Sequence, residues 1–472
     1  MTFSGPNFID SLWIFQKSEE FTSLVRCFKG DFMSSFRPIR QWPSRVPYKS
    51  DDVLVVFGEV FQRGYVNGLI DEAIKAGMKV IYSTVGRRDN EGNLRSLTDE
   101  EIQEKNQSPM INVPLEAGFD LSPSEKGRSP VDQLQGVKMS QWKEASLDWS
   151  EVAESEIHGK DSFRERTRTY LAELEKHIPK GANVMFAHTM AGGVPRAKVI
   201  LPVMNKVFKG HGDRYASSEE FWKSPLGQLC DRSFMEVTAN TFHHLIDLSK
   251  PLRERLEKEG SKVSYVAFGY HGNEILIQGE YKWQSYSPYL QGFAKLELEA
   301  IAQKAWDDGI SACVFNAPEI LTNSSSIFLG VEVALYPLMA ALQKEGGDHP
   351  KVKEVISHCE KLIDPKVKFE DLVQITDNYF GSDLIQNKWS DFEAWPQHNG
   401  PEQMEMMRNT SNKILDLHLD SKKLMTQSLS EIVFHSCGKI MLREGYQPES
   451  AVWWIGHDAC AKEFLKTDPT SV

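Results

Sequence analysis

No stretch of the 472-residue chain approaches the roughly 18 consecutive apolar residues that mark a membrane-spanning helix, so no membrane span is expected. The six cysteines, at 27, 230, 313, 359, 437 and 460, include no CxxC pair. That argues against a disulfide framework or a zinc knuckle, and for a reducing cytoplasm. The adjacent His243 and His244 point to different helix faces, and no metal constellation stands around them. Positive charge is in short supply as well: the formal net charge is −12, whereas bulk nucleic-acid binding needs a basic surface. The opening MTFSGPNFIDSLWIFQKSEE has no basic leader and no small-residue cleavage site, so mature protein is expected. No internal repeat is visible, and no GxGxxG or compact GxGxG loop, which disfavours the commonest dinucleotide fingerprint and a methyltransferase.

What is present suits a globular protein with a substantial core: 40% hydrophobic and 25% charged residues. After an irregular lead-in over 1–50, Val53 to Phe57 (VLVVF) reads as a strand buried on both faces of a parallel sheet. A turn with Gly58, Gly64 and Gly68 leads into a helix at 69–76, and a second strand covers 79–83. Further strands are expected near 111–113 and over 184–187, 262–268 and 310–315, with long helices at 149–177 and 233–259 between them. The series predicts an α/β fold with a doubly wound, mostly parallel sheet. It places a long insertion after the second strand, a core over 51–345 and a mainly helical extension over 346–472. Met and aromatic residues in the extension (MEMM, AVWWIGHD) fit packing or self-association, so a homo-oligomer is one expectation.

Several residues stand where such a sheet binds ligands. Glycines at the first turn let a pyrophosphate reach the helix N-terminus, and Gly58, Gly64, its neighbour Tyr65 and Gly68 are the cofactor candidates there. Arg87 and Arg88 follow the second strand and lean the cofactor toward NADPH over NADH, because arginine accepts a 2′-phosphate. Asp120 is a candidate for the adenine. His188, in a loop of small residues at a strand end where such sheets bind ligands, is a cofactor-site candidate that could serve as acid or base, although a histidine at a strand end is more often structural. The basic residues Arg196, Lys198, Lys206, Lys209 and Arg214 could receive an acidic partner. In FGYHGNEILIQGEYKWQSYSPYLQGFAK (268–295) a strand runs into a tyrosine-rich loop and then a helix, with Ser287 as the expected N-cap and Pro288 as its first residue. That register puts Lys295 two turns past Pro288 and turns Tyr289 away from it, while Tyr286 can curl over the lysine. Tyr281 stays a rival. Thr322 and the serines after it add hydroxyls at a later strand end.

These motifs, in this order, resemble the short-chain dehydrogenase/reductase superfamily, and within it the divergent enoyl-[acyl-carrier-protein] reductases of the long FabV and FabMG-like types. Gly58-x5-Gly64-x3-Gly68 is similar to their G-x5-S-x3-G turn, with glycine in place of serine. FGYHGNE resembles the strand-end S-Y-x-G-x-E, QGFAKLELEA resembles M-G-x-A-K-x-x-L-E, and LTNSSSI resembles T-x-x-S-S-x-I. The Tyr-x8-Lys interval from Tyr286 to Lys295 is theirs, whereas ketoreductases of the superfamily would need tyrosine at 291, where this chain has Gln291.

The resemblance implies a Rossmann-like core and hydride transfer from NAD(P)H to the β-carbon of a trans-2-enoyl thioester. The thioester would be carried by acyl carrier protein or coenzyme A. Tyr286 would stabilise the enolate, Lys295 would hold the nicotinamide ribose, Tyr270 would orient the substrate oxygen and Thr322 would hold the carboxamide. The alternatives are another reductase of this fold, acting on an activated alkene or carbonyl, and a non-catalytic nicotinamide-binding protein.

Overall fold

The computed structural model describes residues 35–285, 291–322 and 325–466. Strand β1 (Val53–Phe57) is fully buried and lies between β2 (Lys79–Thr84) and β6 (Val184–His188), parallel to both. Outward from β2 comes β5 (Met110–Pro114), and outward from β6 come β7 (Val263–Gly269), β10 (Ala312–Asn316) and β11 (Val452–Trp454). All seven strands run parallel, in the order β5-β2-β1-β6-β7-β10-β11. Chain order reverses between β1 and β6, and the crevice at the carboxyl ends there is where an open α/β sheet takes its ligand.

Both faces of the sheet are covered, and the two-residue repeat of β1 shows how. Leu54 and Val56 face one apolar cluster, which holds Leu69, Ile70 and Ala73 of helix α1 (Tyr65–Lys75). Val53, Val55 and Phe57 face another, with Phe163, Tyr170 and Leu174 of helix α2 (Trp149–Glu175) and Leu298 and Ala302 of helix α3 (Gly292–Asp307). A strand buried on both sides reads as a continuous apolar run, as VLVVF does.

Helix α4 (Thr426–Glu444), far along the chain, packs beside α1 so closely that a Cβ on Gly68 would stand 1.9 Å from the Phe434 carbonyl oxygen. From the other side, a Cβ on Gly438 would stand 2.2 Å from the Gly68 carbonyl carbon. The glycine at 68 is therefore required by backbone packing against α4.

The structure departs from the sequence reading in three places. Residues 272–285 form a β-hairpin, β8 (Gly272–Ile277) with β9 (Glu280–Ser285), where a loop was expected. Gln278 and Gly279 both have positive φ, as a two-residue turn of this hand requires. The helix over 233–259 is divided into Pro225–Phe234, a wide turn at Met235–Asn240, Thr241–Leu248 and Lys250–Lys258, with Pro251 in the first turn of the last. Third, the AVWWIG stretch supplies sheet strand β11, with Trp454 fully buried. A small hairpin, β3 (Arg87–Arg88) and β4 (Leu94–Arg95), follows β2.

Candidate active site

The carboxyl ends of β1, β7 and β10 converge through α1. Gly58, just past β1, has φ 126°, and a Cβ there would meet the Thr189 hydroxyl oxygen at 2.3 Å. Glycine alone suits that position. Its N–H donates to Ser83 Oγ at 2.9 Å, tying the turn to β2. Gly64 is the N-cap of α1, with extended backbone and no side-chain cap, and a Cβ there would meet nothing closer than 4.0 Å. The first-turn N–H groups of α1 are thus not blocked by a side-chain cap, an arrangement that fits a pyrophosphate. Tyr65 opens α1, stacks on Phe268 with ring centroids 5.9 Å apart, and donates its hydroxyl hydrogen to the Pro318 carbonyl at 2.7 Å.

Lys295, in the first turn of α3, is buried and its ammonium donates to the Phe268 carbonyl at 2.6 Å. Burial pushes its pKa down to about 8, against the opposing charge of Glu299 one turn on. Glu299 is itself buried and accepts from His271 Nδ1 at 3.2 Å and from Asn316 Nδ2 at 2.9 Å. Asn316 Oδ1 accepts the His271 N–H at 2.8 Å, which closes a polar network beneath the lysine. The His271 ring is stacked between Phe392 and Trp395, at 4.4 and 4.1 Å. Two residues beyond Phe268, Tyr270 lines a cavity with Ser285, Glu319, Phe328, Tyr379 and Met407. In that cavity the Tyr270 phenol is near enough to the Glu319 carboxyl to favour its ionised form.

Tyr286, the expected catalytic tyrosine, lies outside the described residues, as do Ser287, Pro288 and Tyr289. Helix α3 as described begins at Gly292 with Gln291 as N-cap, four residues after the expected start at Pro288. Tyr281 sits on β9, and its hydroxyl donates to Glu345 at 2.8 Å.

Among the cofactor candidates, His188 is interior. Its Nε2 lies 2.8 Å from Thr241 Oγ1, its ring packs against Phe57 and Phe242, and burial with the charge of Lys295 pushes its pKa down to about 3. A histidine held neutral inside the core fits a structural role better than an acid/base one.

Arg87 pairs with Glu59 at 2.9 Å and Arg88 with Glu116 at 2.6 Å. Glu59 also takes Lys105 at 2.6 Å. Burial alone would raise its pKa, yet its hydrogen bonds and charge contacts with Arg87 and Lys105 hold it at about 2. Both arginines thus answer carboxylates of the protein, which removes the ground for preferring a 2′-phosphate. Asp120 accepts from the Arg196 N–H at 2.9 Å and pairs with its guanidinium at 3.7 Å. Thr322 is locked to Ser325, its N–H on Ser325 Oγ at 2.7 Å and its Oγ1 accepting the Ser325 N–H at 3.0 Å.

Sequence reasoning passed over His271, Glu299, Asn316 and Glu319. All four were within view: His271 and Glu299 stand inside the motifs quoted for the resemblance, and Asn316 and Glu319 inside NAPEILT at the end of a strand.

A parallel sheet of this order, with a glycine turn at its first crossover and a buried lysine at the carboxyl end of β7, defines a Rossmann-type reductase. The family model of the enoyl-acyl carrier protein reductase FabMG matches residues 35–464, and the chain belongs to that family. It is an enoyl-acyl carrier protein reductase. The apo structure of FabMG, a novel type of enoyl-acyl carrier protein reductase, is 44% identical, covers 92% of this chain and 98% of its own, and superposes with a TM-score of 0.88. The NADH-bound structure of FabMG is 39% identical over 91% of this chain and 99% of that one, with a TM-score of 0.72. No protein of curated function matches the sequence.

Proposed function

We propose that this reductase uses NADH to reduce a trans-2-enoyl thioester, with Tyr286 and Lys295 as its catalytic pair. The observation that carries the reading is the place of Lys295: a buried ammonium at the carboxyl end of β7, on the carbonyl two residues before Tyr270. NADH is chosen over NADPH because Arg87 and Arg88 are paired with Glu59 and Glu116, and because the related FabMG has an NADH-bound structure. The pyrophosphate would lie at Gly58, Gly64 and Tyr65, the adenine near Asp120 and the carboxamide near Thr322. A bound NADH supplies the hydride that adds to the substrate β-carbon.

The protein's part is electrostatic. As the thioester oxygen takes on enolate charge, a Tyr286 hydrogen bond to it strengthens, which is the kind of contact that lowers a barrier. Lys295 holds the ribose hydroxyls and places a cation near the phenol. Acyl carrier protein is the proposed carrier and the cytoplasm the proposed compartment. Among the described residues no helix is long and apolar enough to cross a membrane. The division of the chain at 50 and 345, with 346–472 as a mainly helical extension that also lends β11 to the sheet, is part of the same proposal, as is assembly into a homo-oligomer. Tyr286→Phe tests the pair: NADH binding persists while turnover of crotonyl thioester drops at least a hundredfold. Full turnover by that variant would overturn the assignment.

A further inference from the structure

We propose that Glu319 is the proton reservoir of the reaction, feeding the reacting thioester through the Tyr270 hydroxyl. The inference rests on the enoyl-reductase reading above.

Hydride addition at the β-carbon leaves an enolate, and the product forms only when a proton reaches the α-carbon. Tyr270 and Glu319 follow neighbouring parallel strands, β7 and β10, at their carboxyl ends. Their side chains line one cavity, in which the phenol is near enough to the carboxyl to favour its ionised form. The flanking chain is fixed at both points. Phe268, two residues before Tyr270, accepts from Lys295 and stacks on Tyr65, and Pro318, next to Glu319, accepts from Tyr65.

In the relay the two side chains share a hydrogen bond whose direction depends on the proton of Glu319. An ionised carboxylate accepts, so it draws the phenol hydrogen to itself. A protonated carboxyl donates to the phenol oxygen and leaves the phenol hydrogen for the substrate. Delivery then breaks the phenol O–H bond and forms the α C–H bond, while the carboxyl proton passes to the phenol oxygen. Glu319 ends as carboxylate and is reprotonated from solvent. The two electrons come with the hydride, so the balance is one hydride and one proton per double bond.

Burial pushes the Glu319 pKa up to about 7, the Tyr270 hydrogen bond opposing and the charge of Glu332 adding to it. The other titratable group facing the pair is Tyr379, which lines the cavity; Lys295, whose pKa is about 8, lies outside that lining. The protonated reservoir is therefore lost as pH rises through about 7, ahead of the lysine.

The test measures kcat and KM with NADH and crotonyl thioester from pH 6 to 10 for the full-length wild type, Glu319→Gln, Glu319→Asp and Tyr270→Phe. Wild-type kcat falls as pH rises through about 7. Glu319→Gln keeps NADH affinity within twofold, loses on the order of ten- to a hundredfold in kcat, and retains only the descent near pH 8. Glu319→Asp restores the descent near 7, and Tyr270→Phe removes it. Infrared titration of the ligand-free protein adds a readout independent of turnover: a carboxyl band titrating near pH 7 that loses the Glu319 component in Glu319→Gln and keeps that of Asp231, also pushed up to about 7 by burial.

Wild-type kcat and an unshifted pH profile in Glu319→Gln would overturn the proposal, as would a carboxyl band near pH 7 that is identical in wild type and Glu319→Gln. A wild type that leaves crotonyl thioester unreduced would instead bring down the enzyme reading beneath it.

Discussion

The Lys295 ammonium donates to the Phe268 main-chain carbonyl at 2.6 Å, a contact between the first turn of α3 and the last turn of chain in β7. It fixes a charge at the mouth of the sheet without an ion-pair partner on Nζ in hydrogen-bond range among the described contacts. Replacement by methionine keeps the length and removes the charge. Lys295→Met should lose NADH affinity and at least a hundredfold in turnover, measured by fluorescence titration and nicotinamide oxidation. Lys295→Arg should not restore activity, because a buried slot built for one donor has to take a planar fork of five.

The same lysine sets a stability slope. Its folded pKa of about 8 lies below the ordinary 10.5, so between those values the unfolded chain binds the extra proton and stability rises with pH. Urea unfolding of wild type and Lys295→Met at pH 7, 8, 9 and 10 should show the wild type gaining on the variant above pH 8. A constant difference would contradict the depressed pKa.

Glu59 behaves in the opposite sense. With its folded pKa at about 2 against an ordinary 4.5, its contribution is whole above pH 4.5 and is lost as the pH falls through about 2. Glu59→Gln should therefore destabilise the protein at pH 7 and converge with the wild type in acid. By releasing Arg87 and Lys105 it should also improve KM for NADPH relative to NADH, which parallel kinetics with the two cofactors would register.

Gly68 and Gly438 hold α1 and α4 at backbone contact. Gly68→Ala puts a methyl where the Phe434 carbonyl stands and should cost about 1–3 kcal/mol or more by chemical denaturation. Gly64→Ala, with open space at its Cβ, should leave stability near the wild type and weaken NADH binding, so the pair separates a packing glycine from a ligand-facing one.

How much of this could be read in advance follows from the range of the interactions. VLVVF announced a central parallel strand because burial on both faces leaves no polar position, and Lys295 stood out because its helix and the preceding strand lie within one continuous stretch. The hairpin at 272–285 was missed although its Gln278-Gly279 turn is a local signal, since the tyrosines around it were read as loop. Long-range partners carry no such signal. Nothing near Gly68 points to Phe434, nothing near Arg87 weighs Glu59 against a 2′-phosphate, and β11 is three residues long, legible only once β10 is beside it. His188 looked available because it ends a strand, and its neutrality depends on Thr241, Phe57 and Phe242 arriving from elsewhere.

The most direct test is oxidation of NADH and of NADPH, measured separately, by the purified full-length protein with crotonyl thioester as acceptor and a ketone as control. Steady oxidation of NADH that depends on the crotonyl thioester, slower with NADPH and absent with the ketone, is the predicted result. Calorimetric binding of NADH with no oxidation on any enoyl thioester, or turnover of the ketone alone, would contradict the account.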